Sequence, residues 1–235
     1  GAVIEFLLVN TAAEVCDSST SESFEISDVK LLVDAVSVDP SFLSSMSKHL
    51  INSGSLTLNL KSYGTVMYSV NSPSMQLVHA RAYTRLNSFF LSFFREYTGT
   101  SANTKKQCNT FYLSSAGQNI SLQSQIGTAL WPDHRCDNLS QFWHRLMHCI
   151  GTANSSAVVN ITATPFGSDS FIAATDLEAV PLQAHGSGKS THGAQLTLDL
   201  RSIGTNSADL PTTAYVTCWF ETIVEISQDG VSVAT

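Results

Sequence analysis

A group of histidines and cysteines is the first feature of this sequence with the residue types for chemistry. It consists of His134, Cys136, His144, His148 and Cys149. His144 and His148 are four residues apart, a spacing that lets one helix present two ring nitrogens to zinc. A zinc hydrolase of the H-E-x-x-H type, however, has glutamate directly after the first histidine, where this chain has arginine. Cys149 also projects about 100° away from His148 around a helix. We therefore predict helix-surface histidines and a buried thiol, and no metal site.

A glycine-rich stretch at 183–191 resembles a phosphate-binding loop, in which backbone amides and a lysine hold phosphate. Its sequence is Gln-Ala-His-Gly-Ser-Gly-Lys-Ser-Thr, so Gln183 replaces the first glycine of the pattern G-x-x-x-x-G-K-[ST]. Residues 193–200 then alternate as a strand does, whereas a phosphate-binding loop opens a helix. We predict a flexible glycine-rich loop here and no nucleotide site at Lys189.

Paired carboxylates are the remaining catalytic candidate. Asp176 and Glu178 are two residues apart, which places both on one face of a strand. Two carboxylates in that arrangement can hydrolyse glycosidic bonds, but such residues beside an apolar strand are more often solvated strand ends. The sequence also lacks the G-x-S-x-G turn of an acyl-transfer nucleophile. We predict no catalytic, cofactor-binding or metal-binding residues, and a protein that is not an enzyme.

Alternating apolar and polar residues indicate that most of the chain forms short strands separated by turns. Residues 55–60 alternate strictly, with Leu56, Leu58 and Leu60 on one face. Segment 86–97 fits either a helical stripe or a strand buried on both faces, and its aromatic side chains favour the strand. The other predicted strands are 2–9, 24–37, 65–70, 76–82, 157–163, 170–175, 195–200, 213–220 and 222–234, the last broken near Asp229-Gly230.

Two helices interrupt the strands, and both have clear end signals. The first follows the capping residue Asp39, has proline at its first position and ends before Gly54. The second follows Asn138, which with Gln141 approaches a capping box, and ends before the glycine at 151. The predicted inward stripes are Phe42, Leu43, Met46 and Leu50 in the first helix, and Leu139, Phe142, Trp143, Leu146, Met147 and Ile150 in the second.

The composition favours a β protein with a hydroxyl-rich surface. Charged residues are 13% of the chain and hydrophobic residues 43%, which excludes a disordered chain, a coiled coil and a highly charged helical bundle. The net charge of -7 argues against binding of nucleic-acid phosphates by this chain. No apolar run is long enough to span a bilayer, and no secretory signal is visible. Five widely spaced cysteines without a C-x-x-C pair indicate reduced thiols in an intracellular protein.

Two further patterns concern organisation and contacts. The polar stretches 10–22, 98–109 and 183–194 are predicted surface loops, none resembles an interdomain linker, and we predict one domain over 1–235. Residues 56–65 and 196–205 agree at seven of ten positions, which either an old duplication or a strand-and-turn solution used twice explains. Phe89, Phe90, Phe93 and Phe94 are predicted to be core, while Trp131-Pro132 and Trp219-Phe220 are assigned either to the core or to a subunit interface.

Several segments, in their pattern and order, resemble one known family. They are 26–36, 47–50, 60–65, 81–90, 125–132, the helix at 138–150, 217–226 and 229–233. Together they are similar to the jelly-roll capsid proteins of aquatic eukaryotic viruses and of virus-derived genes in unicellular algae. The resemblance implies an antiparallel jelly-roll β-sandwich with eight main strands and two short helices in its connections. It allows this chain to be one half of a double jelly roll.

The function that follows is a virion structural protein that self-assembles into an icosahedral shell. Its predicted partners are copies of itself and other capsid proteins, its location is the virion, and its assembly takes place inside the host cell. Shells often carry a basic arm that binds the genome, but this chain shows none, so genome contact is not predicted for it. A sandwich with few charges can also serve as a lectin-like, non-enzymatic binding module, which is the alternative.

Overall fold

The computed structural model describes residues 5–6, 8, 25–94, 119–150, 166–167, 170–178, 187–203, 210–227 and 230–234. The helices there are α1 (Pro40–Ser53) and α2 (Leu139–Ile150). The strands are β1 (Ser55–Ser69), β2 (Met75–His79), β3 (Leu86–Phe94), β4 (Ser121–Ile126), β5 (Ala129–Cys136), β6 (Ala173–Asp176), β7 (Leu196–Arg201), β8 (Thr213–Ser227) and β9 (Gly230–Ala234).

These strands form two antiparallel sheets. One has the order β1-β8-β3-β6, with β9 paired to the far half of β8, and the other has the order β2-β7-β4-β5. Apart from the β4–β5 hairpin, consecutive strands from β1 to β8 lie in opposite sheets. This 1-8-3-6 and 2-7-4-5 arrangement is the strand order of a jelly roll, so the predicted fold class is confirmed.

The core lies between the sheets because every strand there presents alternate residues inward. The two central strands show this most clearly, with inward side chains that are almost completely buried: Leu196, Leu198 and Leu200 of β7, and Ala214, Val216, Cys218 and Phe220 of β8. Burial of each large apolar side chain contributes roughly 1.5–3 kcal/mol. The alternation detected in the sequence at 195–200 and 213–220 is therefore the pattern that forms the sandwich.

Most predicted strands are confirmed, with differences in their limits. The segments 55–60 and 65–70 are one continuous strand, β1, and 213–220 continues into 222–227 as β8. Segment 86–97 is a strand, β3, over its described part. The break near Asp229-Gly230 is confirmed by the pairing of Ser227 with Gly230 between β8 and β9. The predicted strand at 157–163 and nearly all of 2–9 lie outside the described residues.

One strand prediction fails in the described part of the chain, and two strands were missed. Residues 25–37 form neither a helix nor a strand, and Asp28 has a positive φ of 57°. Strands β4 and β5 were not predicted at all. Pro132 lies inside β5, where proline usually argues against a strand, and the register with β4 shifts between Leu122 and Ser124.

Both helices begin and end where the sequence predicts. In α1, the Ser41 N–H donates to Asp39 Oδ1 at 2.8 Å, and Gly54 ends the helix with a positive φ of 78°. In α2, the Gln141 N–H donates to Asn138 Oδ1 at 2.9 Å. Among the described residues, no helix has the length and apolar character needed to cross a bilayer.

The predicted inward stripes have different outcomes in the two helices. In α2, which packs against β6, Phe142, Leu146 and Met147 are buried, as predicted. In α1, no residue is buried: Met46 and Leu50 of the predicted stripe are half-buried, whereas Phe42 and Leu43 are exposed, so the prediction holds for half of the stripe. The helix contacts β1, and no described residue covers Phe42 and Leu43.

Candidate functional site

The glycine-rich loop is fixed to strand β3 rather than opening a helix. Leu86 N–H donates to the Lys189 carbonyl at 2.8 Å, and Lys189 N–H donates to the Leu86 carbonyl at 2.9 Å. A Cβ at Gly188 would lie 2.8 Å from the carbonyl carbon of Arg85, so this close approach of two backbones requires glycine. The Lys189 ammonium lies 4.9 Å from the centroid of the Trp131 ring, a cation–π contact. Residues 187–194 contain no helix. Gly188 and Lys189, which resemble part of a phosphate-binding loop, are therefore explained by their contacts with β3 and Trp131.

The predicted histidine and cysteine cluster is divided between two places. His134, Cys136 and His144 border one pocket beside α2, whereas His148 and Cys149 border another. The His144 and His148 rings lie between the two, with their centroids 6.3 Å apart. His148 Nδ1 lies 3.1 Å from Asp176 Oδ2. In the part of the chain that the structure describes, no three His, Cys, Asp or Glu side chains meet in the manner of a metal site.

The described cysteines are free thiols. Cys136 and Cys218 are buried, and Cys149 is half-buried. Burial raises the pKa of all three, in Cys218 to about 11, which keeps them protonated near neutral pH. Thiols in this state are poor nucleophiles, so these three suit packing and not catalysis.

Asp176 and Glu178 connect α2, β1 and β3. The Asp176 carboxylate accepts the Glu178 N–H at 2.8 Å, besides its contact with His148. The Glu178 carboxylate accepts a hydrogen bond from Asn87 Nδ2 at 2.6 Å and lies 3.5 Å from Lys61 Nζ. The cavity beside them measures about 110 Å³, room for roughly three or four water molecules and not for a sugar chain. The pair therefore serves to join elements.

A buried polar chain inside the sandwich was not predicted from the sequence. The His79 side chain, 1% exposed, has Nδ1 at 2.9 Å from the Tyr68 hydroxyl and Nε2 at 3.0 Å from the Tyr83 hydroxyl. Burial, and then the charge of Arg81, lower the pKa of His79 and hold the imidazole neutral. The signal available in the sequence was the position of His79, two residues after the inward-facing Leu77. Its polar atoms are satisfied within the core, which is a structural role.

The aromatic residues divide between the core and the outer face of the β1-β8-β3-β6 sheet. Phe89 and Phe93 are buried as predicted, whereas Phe90 and Phe94 are half-buried. Phe220 is buried, but its neighbour Trp219 is exposed and contacts the Phe90 ring, with centroids 5.2 Å apart. Trp219 is thus available for a contact outside the chain, and its place in a subunit interface remains a prediction.

The largest unexplained feature is a three-stranded extension of this sheet, which we call the ribbon. It consists of residues 55–60 of β1, 222–227 of β8 and all of β9. Directly paired residues share a face, so one face of the ribbon continues the inward face of the sandwich. That face is entirely apolar apart from Thr222 and comprises Leu56, Leu58, Leu60, Val224, Ile226, Val231 and Val233.

The repeated sequence shows that, among the described residues, no second sheet packs on this apolar face. Leu198 in β7 is 0% exposed, whereas Leu58, at the equivalent position of the repeat in β1, is 39% exposed and Leu60 is 49% exposed. Both copies of the pattern form strands with leucines on one face. The difference is that a second sheet covers β7, and in the described residues no second sheet lies over the ribbon.

Residues 25–38, which we call the extended segment, add to the uncovered surface. Their described polar contact is the ion pair between Lys30 and Asp28 at 2.6 Å. The apolar side chains of the segment are exposed, Leu32 to 92%, and the others are Ile26, Val29, Leu31, Val33, Val36 and Val38. The described residues leave these side chains uncovered, and exposed apolar surface is typical of interaction sites.

Sequence reasoning did not find this surface, although the signals were present. It placed the segment 24–37 in a strand and the α1 stripe inward, and both inferences identify residues that require burial. The repeat at 56–65 and 196–205 was a further signal, since it marks Leu58 as a residue suited to a buried strand. The sequence does not indicate whether the residues that bury these side chains belong to the same chain or to another.

Comparison with solved structures finds chains with a similar fold, whereas comparison with families and curated proteins finds no match. One similar solved structure is VP54 of PBCV-1, fitted into a cryo-EM reconstruction of the virophage Sputnik. It has a TM-score of 0.56 at 10% identity, over 84% of this chain and 55% of that chain. The PBCV-1 virus capsid has a TM-score of 0.49 at 9% identity, over 77% of this chain and 52% of that chain. The mavirus major capsid protein has a TM-score of 0.37 at 11% identity, over 77% of this chain and 41% of that chain.

The similarity to VP54 is a similarity of fold, and it agrees with the jelly-roll strand order of the two sheets. The resemblance drawn from the sequence is therefore confirmed at the level of fold. The chain spans about half the length of the VP54 chain that it matches.

Proposed function

We propose that this chain is a virion structural protein that self-associates into an icosahedral shell. The observation that carries the proposal is the uncovered apolar face of the ribbon, which continues the core face of a jelly-roll sheet. Because this face has no charged side chain, a copy can bury it without desolvating ions. Closed symmetry then repeats the same contact around the shell.

The rest of the proposal follows from the same assignment. The 235 residues act as one jelly-roll domain, without enzymatic activity, in a virion that is assembled inside the host cell. Its partners are its own copies and other capsid proteins. With a net charge of -7, the chain leaves contact with the genome to other components.

Light scattering and electron microscopy of the purified chain test this function. We expect closed particles far larger than a dimer. Leu58→Asp places a charge on the apolar face and is expected to stop assembly while the circular dichroism and melting temperature of the subunit persist. Asn59→Asp adds the same charge at the next residue, on the opposite face of β1, and is the matched control.

Two outcomes contradict the proposal. A wild-type chain that stays monomeric at all concentrations is not a shell protein, and its binding to immobilised glycans would support the lectin-like alternative. Equal assembly of Leu58→Asp and wild type would show that the ribbon face is not the contact.

A further inference from the structure

The inference concerns the free edge of strand β1. Within the described residues, β1 pairs on one side with β8 and on the other side with nothing. About half of the residues of such an edge direct their N–H and C=O groups outward, where another chain can pair with them. The edge is 15 residues long, or about 50 Å at 3.3 Å per residue.

β1 has fewer of the features that protect the other sheet edges from pairing. The edge strands β2, β6 and β9 have five, four and five residues, and β5 contains Pro132 and a register shift. By contrast, β1 has 15 residues, no proline and one charged residue, Lys61, which lies 3.5 Å from Glu178 of its own chain. Its register with β8 runs without a shift from Ser55 to Ser69. Proteins usually shorten, charge or bend their exposed edges, so a long regular edge is a place where pairing is used.

The same chain contains a segment suited to that edge. Val29, Leu31 and Val33 alternate as strand residues do, and β-branched and aliphatic residues dominate residues 26–38. The extended segment has 14 residues, about 46 Å when fully extended, which is close to the length of β1. Residues 29–38 follow Asp28, whose φ is 57° in a single copy, and they span about 33 Å of that length. In a single copy, however, it forms no strand with β1 or with any other described strand.

We propose that the extended segment of one copy pairs as a β-strand with the free edge of β1 in a second copy. This inference rests on the proposed function, because it names a contact between copies in addition to the apolar face of the ribbon. Exchange of the segment gives the strand-like sequence its partner and pairs the free edge, neither of which a single copy achieves.

Cross-linking between distinguishable copies tests the exchange. A photoreactive amino acid replaces Leu32 in isotopically heavy chains, which are assembled with unmodified light chains, and mass spectrometry identifies the products. We expect heavy segments joined to light residues 55–69. Products that join the segment only to β1 of the same copy, or to no part of β1, overturn the inference.

Proline substitution provides a second test, since it removes a backbone donor from a strand. The double variant V29P/L32P is compared with V29A/L32A, which removes the same apolar side chains but keeps both N–H groups. The N–H groups of residues 29 and 32 point to opposite sides of a strand, so one of the two faces β1 in either register. The segment is unpaired in a single copy, so the subunit is expected to fold with an unchanged melting temperature. Loss of one ladder hydrogen bond, together with the steric clash of the proline ring, predicts association about fivefold or more weaker for the proline variant than for the alanine variant.

The results separate this inference from the proposed function. Particles that form equally well from V29P/L32P and V29A/L32A, without cross-links between copies, leave the shell function in place and overturn the exchange. A wild-type chain that forms no particles contradicts both.

Discussion

Leu58 and Leu198 occupy equivalent positions of the repeated sequence, and only Leu198 contributes fully to the stability of the single chain. We expect Leu198→Ala to lower the free energy of unfolding by about 2–5 kcal/mol, because it leaves a cavity between the sheets. Leu58→Ala is expected to cost less than about 1 kcal/mol, since the side chain is already partly in water. Denaturant unfolding at a concentration that keeps the chain monomeric measures both, and equal losses would contradict the difference in burial.

His79 gives the folded chain a dependence on pH. Burial lowers its pKa in the folded state, while in the unfolded chain it takes up a proton near pH 6.5. The unfolded state therefore binds more protons below that pH, and stability is expected to fall as the pH falls from about 7 to 5. Denaturant unfolding at a series of pH values measures this slope.

The matched variants for this slope are His79→Gln and His192→Gln. Glutamine at 79 does not titrate, so the loss of stability between pH 7 and 5 should become smaller even if the variant is less stable throughout. His192 is exposed, and its replacement should leave the slope unchanged. A slope that is the same in the wild type and in His79→Gln would assign the pH dependence to other groups.

At the scale of elements, the N-terminus of α2 depends on one side chain. Asn138 Oδ1 accepts the Gln141 N–H, one of the amides that the helix itself leaves unpaired. We expect Asn138→Ala to lower the free energy of unfolding by about 1 kcal/mol. Ser140→Ala changes an exposed residue in the same turn and should have little effect. Thermal or denaturant unfolding measures both, and equal effects would show that the cap is not used.

The elements that the sequence predicted well are those defined by local chemistry. Capping residues and terminal glycines lie next to the helices they end, so α1 and α2 were found within a residue. The β4–β5 hairpin was missed because a proline such as Pro132 usually argues against a strand. Antiparallel pairing with β4 nevertheless holds the segment with Pro132 in a strand. The failures at residues 25–37 and on the apolar side of α1 have another cause. The patterns of both segments indicate side chains suited to burial, but no nearby residue indicates which partner would bury them.

The candidate site shows the same limit at the scale of the whole molecule. The sequence contains residues typical of metal, phosphate and carboxylate chemistry. In the structure, those that are described, such as Asp176, Glu178 and Gly188, form contacts between elements. The uncovered surface has no chemical motif and emerges only when the two sheets are placed, because the exposure of Leu58 depends on how far the second sheet extends.

The apolar character of that surface determines how assembly should respond to solvent. No charged side chain lies on the apolar face of the ribbon, so raising NaCl from about 0.1 to 0.5 M, which screens ion pairs, should not weaken assembly. Sulfate should strengthen it, and cooling from about 25 to 4 °C should weaken it, since apolar burial loses strength in the cold. The concentration at which light scattering detects particles measures all three. Assembly that NaCl dissociates would mean that ion pairs hold the copies together, and the contact would then lie on a charged face such as that of Asp199 and Arg201.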